Sequence, residues 1–248
     1  MKSSKVILFI VIALMLVFSG CKKKTGNVAI QFKARFNGQN VAFDTTTFTS
    51  NGMLFQFTAL KFYLDHINLI GPGGSITPEQ DVALIDFSNP NSLTLNFKNL
   101  QGDYTGIQFG CGLDSILDNT DPTTAPASSP LNAANCGDMY WAMQKYRFES
   151  FDGKWDYTTD TLSFLTRGFS YHVGGSGLYR TNLGIAGSFS VSAGNTTSVV
   201  LYLDIEKIFT SGNGTIDIPT EGATQSLPQD NPAIATKFVN NFSNAFTF

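Results

Sequence analysis

The sequence predicts an all-β fold, an antiparallel β-sandwich with long loops and a short C-terminal helix, and three observations predict it. Apolar and polar residues alternate with period two in short runs. Gly- and Asn-rich turn chemistry separates those runs. The chain also carries 22 Phe and 8 Tyr, enough apolar surface for a core between two sheets.

Residues 1–20 precede the fold. Lys2 and Lys5 lead into an apolar run from Val6 to Phe18, followed by Ser19, Gly20, Cys21 and the basic Lys22, Lys23 and Lys24. The run is shorter than the about 20 residues a bilayer-spanning helix needs, so it reads as an export signal. The small pair before Cys21 resembles the lipobox of bacterial lipoproteins, in which a signal peptidase cuts before the cysteine and its thiol carries diacylglycerol. On that reading residues 21–27 are the lipidated cysteine and a linker, and 28–248 form a single domain anchored to a membrane. Lys22 stands where an aspartate is associated with inner-membrane retention, and the resemblance to sorting signals implies the outer membrane, facing the periplasm. Residues 1–20 contain two lysines and no acid, so removing them takes the formal net charge from −3 to −5 and excludes a nucleic-acid binder.

The first strand alternates Val28, Ile30, Phe32 and Ala34 with polar or small neighbours, and the same signature recurs in 54–60, 61–70, 93–97, 104–109 and 198–205. Turns are marked by Asn37 and Gly38, Asn51 and Gly52, Gly71 to Gly74, Asn89 to Asn91, and Gly212 to Gly214. Residues 115–137 are rich in Pro, Ser, Thr and Asn without periodicity, a long loop of functional or disordered type. Near the C-terminus Asp230, Asn231 and Pro232 supply a cap and an N1 proline, after which Ile234, Phe238 and Phe242 recur every four residues as one face of a helix.

Export decides how Cys111 and Cys136 are read. In an oxidising periplasm a disulfide between them is the expected state, closing a loop of ~25 residues for about 3.5 kcal/mol. A thiolate metal site is the alternative, although the pair lacks short metal-ligand spacing.

No nucleophile elbow, phosphate loop, zinc-protease helix or dinucleotide fingerprint is present, and two histidines leave little material for acid–base catalysis, so no enzyme is expected. His66 lies in FYLDHIN and His172 in FSYHVGG, where the paired glycines let the backbone bend or be closely approached; His172 is then either a functional imidazole at a strand end or a structural histidine donating to a backbone carbonyl.

Several segments in order resemble the MbnP-like family, periplasmic proteins associated with methanobactin copper uptake and their relatives among outer-membrane lipoproteins. They are Phe62–Leu69 (FYLDHINL), Tyr104–Ser115 (YTGIQFGCGLDS), Gly137–Met143 (GDMYWAM) with Tyr146 and Phe151–Gly153, Tyr171–Gly175 (YHVGG) and Ile234–Phe246. The resemblance implies a copper-binding β-sandwich, in some members with a tryptophan oxidised to kynurenine by a di-haem partner of the cytochrome c peroxidase type. By position it implies roles for Trp141 and His172, imidazole being a ligand for either copper oxidation state.

This chain departs from the family pattern at Met143, where the family has a second tryptophan, and at Ala83, where it has a histidine. His66 stands where the family has asparagine and is expected to replace the lost imidazole, giving His172 and His66 as the metal ligands. Met139 and Met143 are soft ligands suited to Cu(I), or core filler, and Asp65 and Asp114 are possible carboxylate contributors, or solvated strand-end and turn residues. Two readings follow: a membrane-anchored copper-binding protein, or an envelope β-sandwich that has lost the metal and binds a protein or glycan. Convergence of His66, His172 and Trp141 would favour the first.

Overall fold

The computed structural model describes residues 24–160, 164–226, 230 and 232–248. The export signal, Cys21 and the Asn231 part of the helix cap lie outside the described residues. Fourteen strands are described: β1 (Gly26–Phe36), β2 (Gln39–Asn40), β3 (Thr47–Ser50), β4 (Met53–Ile70), β5 (Ile76–Asp86), β6 (Thr94–Leu100), β7 (Gly102–Cys111), β8 (Tyr140–Trp141), β9 (Lys145–Tyr157), β10 (Arg167–Gly174), β11 (Arg180–Val191), β12 (Thr196–Asp204), β13 (Ala223–Thr224) and β14 (Phe246–Thr247). The helices are α1 (Ser115–Asp118), α2 (Ala133–Cys136), α3 (Ile205–Thr210), α4 (Ile218–Glu221) and α5 (Pro232–Ser243).

A five-stranded sheet centred on β1 faces a nine-stranded sheet whose spine is β4. The sequence segments 54–60 and 61–70 are one 18-residue strand. Its first half pairs with β3 and β9, its second with β5 and β7. The fold is the expected sandwich with one difference: β1 pairs in parallel with β12, from Asn27 opposite Thr196 to Arg35 opposite Asp204. Both strands lie in the interior of their sheet, and the crossover that a parallel pair requires carries every strand of the second sheet except β13 between them.

Alternation in β1 buries Val28, Ile30, Phe32, Ala34 and Phe36 against the inner face of the larger sheet. Phenylalanines fill the space with edge-to-face contacts such as Phe32 on Phe62 at 6.2 Å and Phe36 on Phe57 at 5.1 Å. Helix α5 plugs one side of the sandwich, Phe238 stacking on Tyr171 at 4.9 Å and Phe242 meeting Phe62 edge-on at 5.2 Å. The i, i+4 spacing read from the sequence is therefore the buried face of that helix.

On the outer face of β4 and β9 sits a second apolar cluster. Residues 113–139 lie across that face and bury Tyr63, Leu113, Leu131, Cys136, Met139, Tyr146 and Phe148. This stretch is ordered by its own side chains. Asp114 caps α1 through Ile116 N and Leu117 N, both 2.8 Å, and Asn132 caps α2 while its amide donates to Ala125 O at 2.7 Å. The two covered tyrosines donate outward to it, Tyr63 to Pro130 O at 3.3 Å and Tyr146 to Leu131 O at 2.7 Å.

The two clusters correct the expected disulfide. Cys111 and Cys136 are both free and buried. Cys111 pairs opposite Leu64 and points with it into the main core, whereas Cys136 packs with Tyr63, the residue whose side chain leaves β4 on the opposite face. A sheet stands between two thiols whose Cβ atoms would have to approach to about 3.8 Å.

Candidate functional site

Among the described residues, a bulge in β4 builds a group of three donor side chains close enough to share a metal ion. Leu60, Phe62 and Leu64 point into the main core, but beyond the bulge Ile67 and Leu69 do so, a change of parity that one extra residue produces. That residue is His66, held at φ +45 in the left-handed region, with Asn68 Nδ2 donating to its carbonyl at 2.7 Å. The reversal leaves Asp65 fully buried and turns the His66 imidazole outward.

Asp114, three residues past the end of β7, completes the group. His66 Nε2 lies 2.9 Å from Asp114 Oδ2 and 3.9 Å from Asp65 Oδ2. One donor atom from each of the three lies within 4.8 Å of the others. Asp65 is fixed by two further bonds: Tyr179 donates its hydroxyl to Oδ1 at 2.8 Å, and Asp114 N donates to Oδ2 at 2.9 Å. Gly110 leaves room for that buried pair, since a Cβ there would collide with Asp65 Oδ1 and sit 2.5 Å from the Tyr179 hydroxyl.

The charges in this group follow from its surroundings. Burial pushes Asp65 above the usual carboxylate range, against the Tyr179 and Asp114 hydrogen bonds. Burial acts in the same direction on Asp114, but the backbone N–H of Leu117, the His66 imidazole and the N–H of Ile116 outweigh it and hold that carboxyl below the usual range. The Asp114 hydrogen bond, together with the charges of Asp65 and Asp81, raises His66 against its partial burial. Among the described residues no lysine or arginine forms an ion pair with any of the three.

His172, the histidine of the YHVGG segment, has a different environment. It lies near the end of β10, and Gly175, at φ +102, makes the turn that follows. Its Nε2 is 3.0 Å from both oxygens of Asp152 and 3.3 Å from Ser170 Oγ, and its Nδ1 is 2.9 Å from Gln225 Oε1. Gln225 Nε2 donates to Ser170 Oγ at 3.4 Å, which fixes the orientation of that amide. Both imidazole nitrogens thus face protein oxygen atoms, Nδ1 the Gln225 amide and Nε2 the Asp152 carboxylate with Ser170. Asp152 and Ser170 meet the same ring nitrogen, so the group is not a relay in which a carboxylate orients the imidazole toward a hydroxyl nucleophile.

The structure does not bring the two histidines together. Lys61 of β4 pairs with Ser150 of β9, which pairs with His172, and His66 lies five residues farther along β4. Two strand spacings and five strand residues separate the backbones by roughly 19 Å, against a metal–imidazole bond of about 2 Å. Ala83 pairs opposite Leu64 and points into the main core, away from the outward imidazole of His66. Loss of a histidine at 83 and its gain at 66 therefore fall on opposite faces of the sheet.

Trp141 is linked to His172 through Gln144 and Gln225, by its backbone and not by its indole. The Gln144 backbone N–H donates to Trp141 O at 2.8 Å, the Gln144 side chain donates to the Gln225 carbonyl, and Gln225 meets His172. The Arg147 guanidinium lies 5.6 Å over the half-buried indole. Met139 is fully buried in the second cluster, and Met143 is exposed. Neither belongs to the Asp65, His66 and Asp114 group. Burial raises both cysteine thiols, the opposite of what a thiolate ligand requires.

Two carboxylate oxygens and one imidazole nitrogen form a hard-to-borderline donor set suited to Cu(II) or another divalent ion, whereas Cu(I) prefers sulfur. Adjacent ligands on a coordination sphere of ~2.1 Å radius lie roughly 3 Å apart and opposed ones up to about 4 Å, matching the 2.9 and 3.9 Å found here. Sequence reading named His172 and His66 as ligands, with Asp65 and Asp114 only as possible contributors, and missed Tyr179, Asp152 and Gln225. Their roles depend on pairings 114, 20 and 53 residues apart, which no local motif encodes.

Comparison with known proteins agrees with this fold. Among solved structures, MbnP from Methylosinus trichosporium superposes with a TM-score of 0.54 at 19% identity, over 86% of this chain and 88% of that one. No curated protein sequence matches. The family model described as MbnP matches residues 25–230, from the start of β1 to the approach to α5. On that match, the chain belongs to the MbnP family.

Proposed function

We propose that this chain is a non-enzymatic envelope protein, tethered through lipid on Cys21, that binds one divalent metal ion, copper(II) first among them, through Asp65, His66 and Asp114. The observation that carries this reading is the convergence of three ligand atoms within 4.8 Å on a strand bulge. The fixed carboxylate of Asp65, held by Tyr179, supplies a preorganised buried ligand, and the half-exposed His66 gives the ion access from solvent. Family membership supports copper as the cargo, and the oxygen-rich donor set selects the oxidised ion.

Copper titration of the full-length protein beside His66→Asn and His172→Ala tests the assignment. Asparagine tolerates the left-handed backbone at position 66 while removing the imidazole. One equivalent of Cu(II) bound by the parent and by His172→Ala, and lost in His66→Asn, is the expected result. Retention in His66→Asn with loss in His172→Ala would move the site to β10. Absence of binding in the parent would leave a family fold that serves a protein or glycan partner instead.

A further inference from the structure

The end of β1 opens on a cavity distinct from the metal group. Phe55, which helps line it, lies ten residues before Asp65 on β4, roughly 33 Å away at the rise of a strand. The cavity has a volume of about 140 Å³, close to that of an apolar cavity that holds benzene, about 150 Å³. Its walls are aromatic and aliphatic: Phe36, Phe55 and Phe209 with Ile218. The rings are fixed against one another, Phe36 to Phe55 at 5.8 Å and Phe55 to Phe209 at 6.4 Å, the latter nearly parallel at 17°.

Its mouth is acidic. Glu206, in the first turn of α3, and Asp217, which precedes α4, both line the opening. Among the described residues neither is in an ion pair with a lysine or arginine. Lys237 is held by Glu221 at 2.6 Å and Arg35 by Asp204 at 3.5 Å, and Lys207, next to Glu206 in α3, is not among the residues that line the cavity. An apolar interior with a few polar groups at its rim is how small-molecule sites are built. Two carboxylates at the rim with no Lys or Arg ion-pair partner among the described residues favour a positively charged group there over a neutral or anionic one.

The geometry points to a second binding site here, for a small aromatic amine whose ring enters the cavity and whose ammonium rests between Glu206 and Asp217. The volume admits one six-membered ring, and a two-carbon arm carries the ammonium to the rim. This site is independent of the metal reading, since it shares no residue with Asp65, His66 or Asp114.

Isothermal titration of the full-length protein with 2-phenylethylamine, 2-phenylethanol and phenylacetate reads the selectivity directly. The amine is expected to bind at least tenfold more tightly than phenylacetate, with the alcohol between them. In Glu206→Gln combined with Asp217→Asn the amine is expected to fall to the level of the alcohol, while the alcohol itself is unchanged. Ile218→Phe, which fills the cavity, is expected to lose all three, and circular dichroism reports whether that variant has folded. Equal affinity for amine and carboxylate, or no binding of any probe to the parent, overturns the proposal, and the surface carboxamide variant keeps it open to refutation even if Ile218→Phe misfolds.

Discussion

The β4 bulge and the β9–β10 edge each present a histidine beside a carboxylate, yet one is open and the other closed. At the bulge the His66 side chain is 53% exposed, and among the described residues Asp114 meets only one of its ring nitrogens. On β10 the His172 side chain is 17% exposed, and Asp152, Ser170 and Gln225 occupy both nitrogens. The buried acids divide the other way. Asp65, at the bulge, is fully buried with a partner on each oxygen, whereas Glu149, on β9 opposite Val173, is fully buried with no hydrogen-bond partner on either among the described residues. A ligand site needs fixed carboxylates and an unfinished imidazole, and only the bulge combines them.

The largest effect that tests this contrast comes from Gly110→Ala. Its new methyl forces the Asp65–Tyr179 pair apart inside the sheet, adding overpacking to the loss of a charged hydrogen bond. A cost of about 4 kcal/mol in urea unfolding is expected, with loss of copper binding. A folded variant that binds copper as the parent does would show that Asp65 is dispensable.

Glu149 gives the next largest effect, and its sign is fixed by the proton. Burial pushes this carboxyl from its ordinary 4.5 up to about 8, with Arg180 opposing only in part. Between those values the folded chain keeps a proton that the unfolded chain has released, so stability falls as pH rises from 4.5 toward 8. At 1.36 kcal/mol per pH unit the loss reaches about 3 kcal/mol at pH 7. Glu149→Met is therefore expected to be more stable than the parent by that order at pH 7, with little difference at pH 4.5. Denaturant curves at several pH values check this, and a variant that keeps the parent's slope would place the titration elsewhere.

Much of this contrast was out of reach of the sequence, for reasons visible in particular strands. Strand β1 was legible because one face is buried and the other is not, so Val28, Ile30 and Phe32 alternate cleanly. Strand β9 was not legible: the main core covers one face and the 113–139 excursion the other, burying Phe148, Glu149, Ser150 and Phe151 in succession. The long loop was identified, but its order comes from asparagine side chains finding carbonyls, as when Asn135 reaches Ala127 O at 2.8 Å. His66 carried a local signal as a histidine on a strand, whereas Asp65 and Asp114 read equally as solvated strand-end or turn residues, because the bulge and the cap that turn them together are not visible in the sequence. The closure of His172 carried no such signal, because Asp152 and Gln225 reach it from other strands.

A smaller effect separates the two histidines by stability alone. His172→Ala removes the ring that satisfies Asp152 and Gln225, and about 1.5 kcal/mol is expected to be lost. His66→Asn removes one solvent-accessible contact and is expected to cost under about 0.5 kcal/mol without metal. Equal losses in thermal or urea unfolding would break the distinction between a structural and a ligand histidine.

The smallest expected effect is close to zero, and it tests the sheet that separates the two apolar clusters. A Cys111–Cys136 bridge would stabilise the fold by about 3.5 kcal/mol in the chain-entropy account, and a reducing agent would remove that amount. With Cys111 inside the sandwich and Cys136 beneath the outer excursion, reductant has no bond to break. Unfolding curves with and without reductant are expected to agree within about 0.5 kcal/mol, and both residues are expected to alkylate in denaturant without prior reduction. Protection of both from alkylation would mean that the 113–139 excursion takes another path to reach Cys111, and the second cluster that shelters Tyr63 and Met139 would then have to be rebuilt around that path.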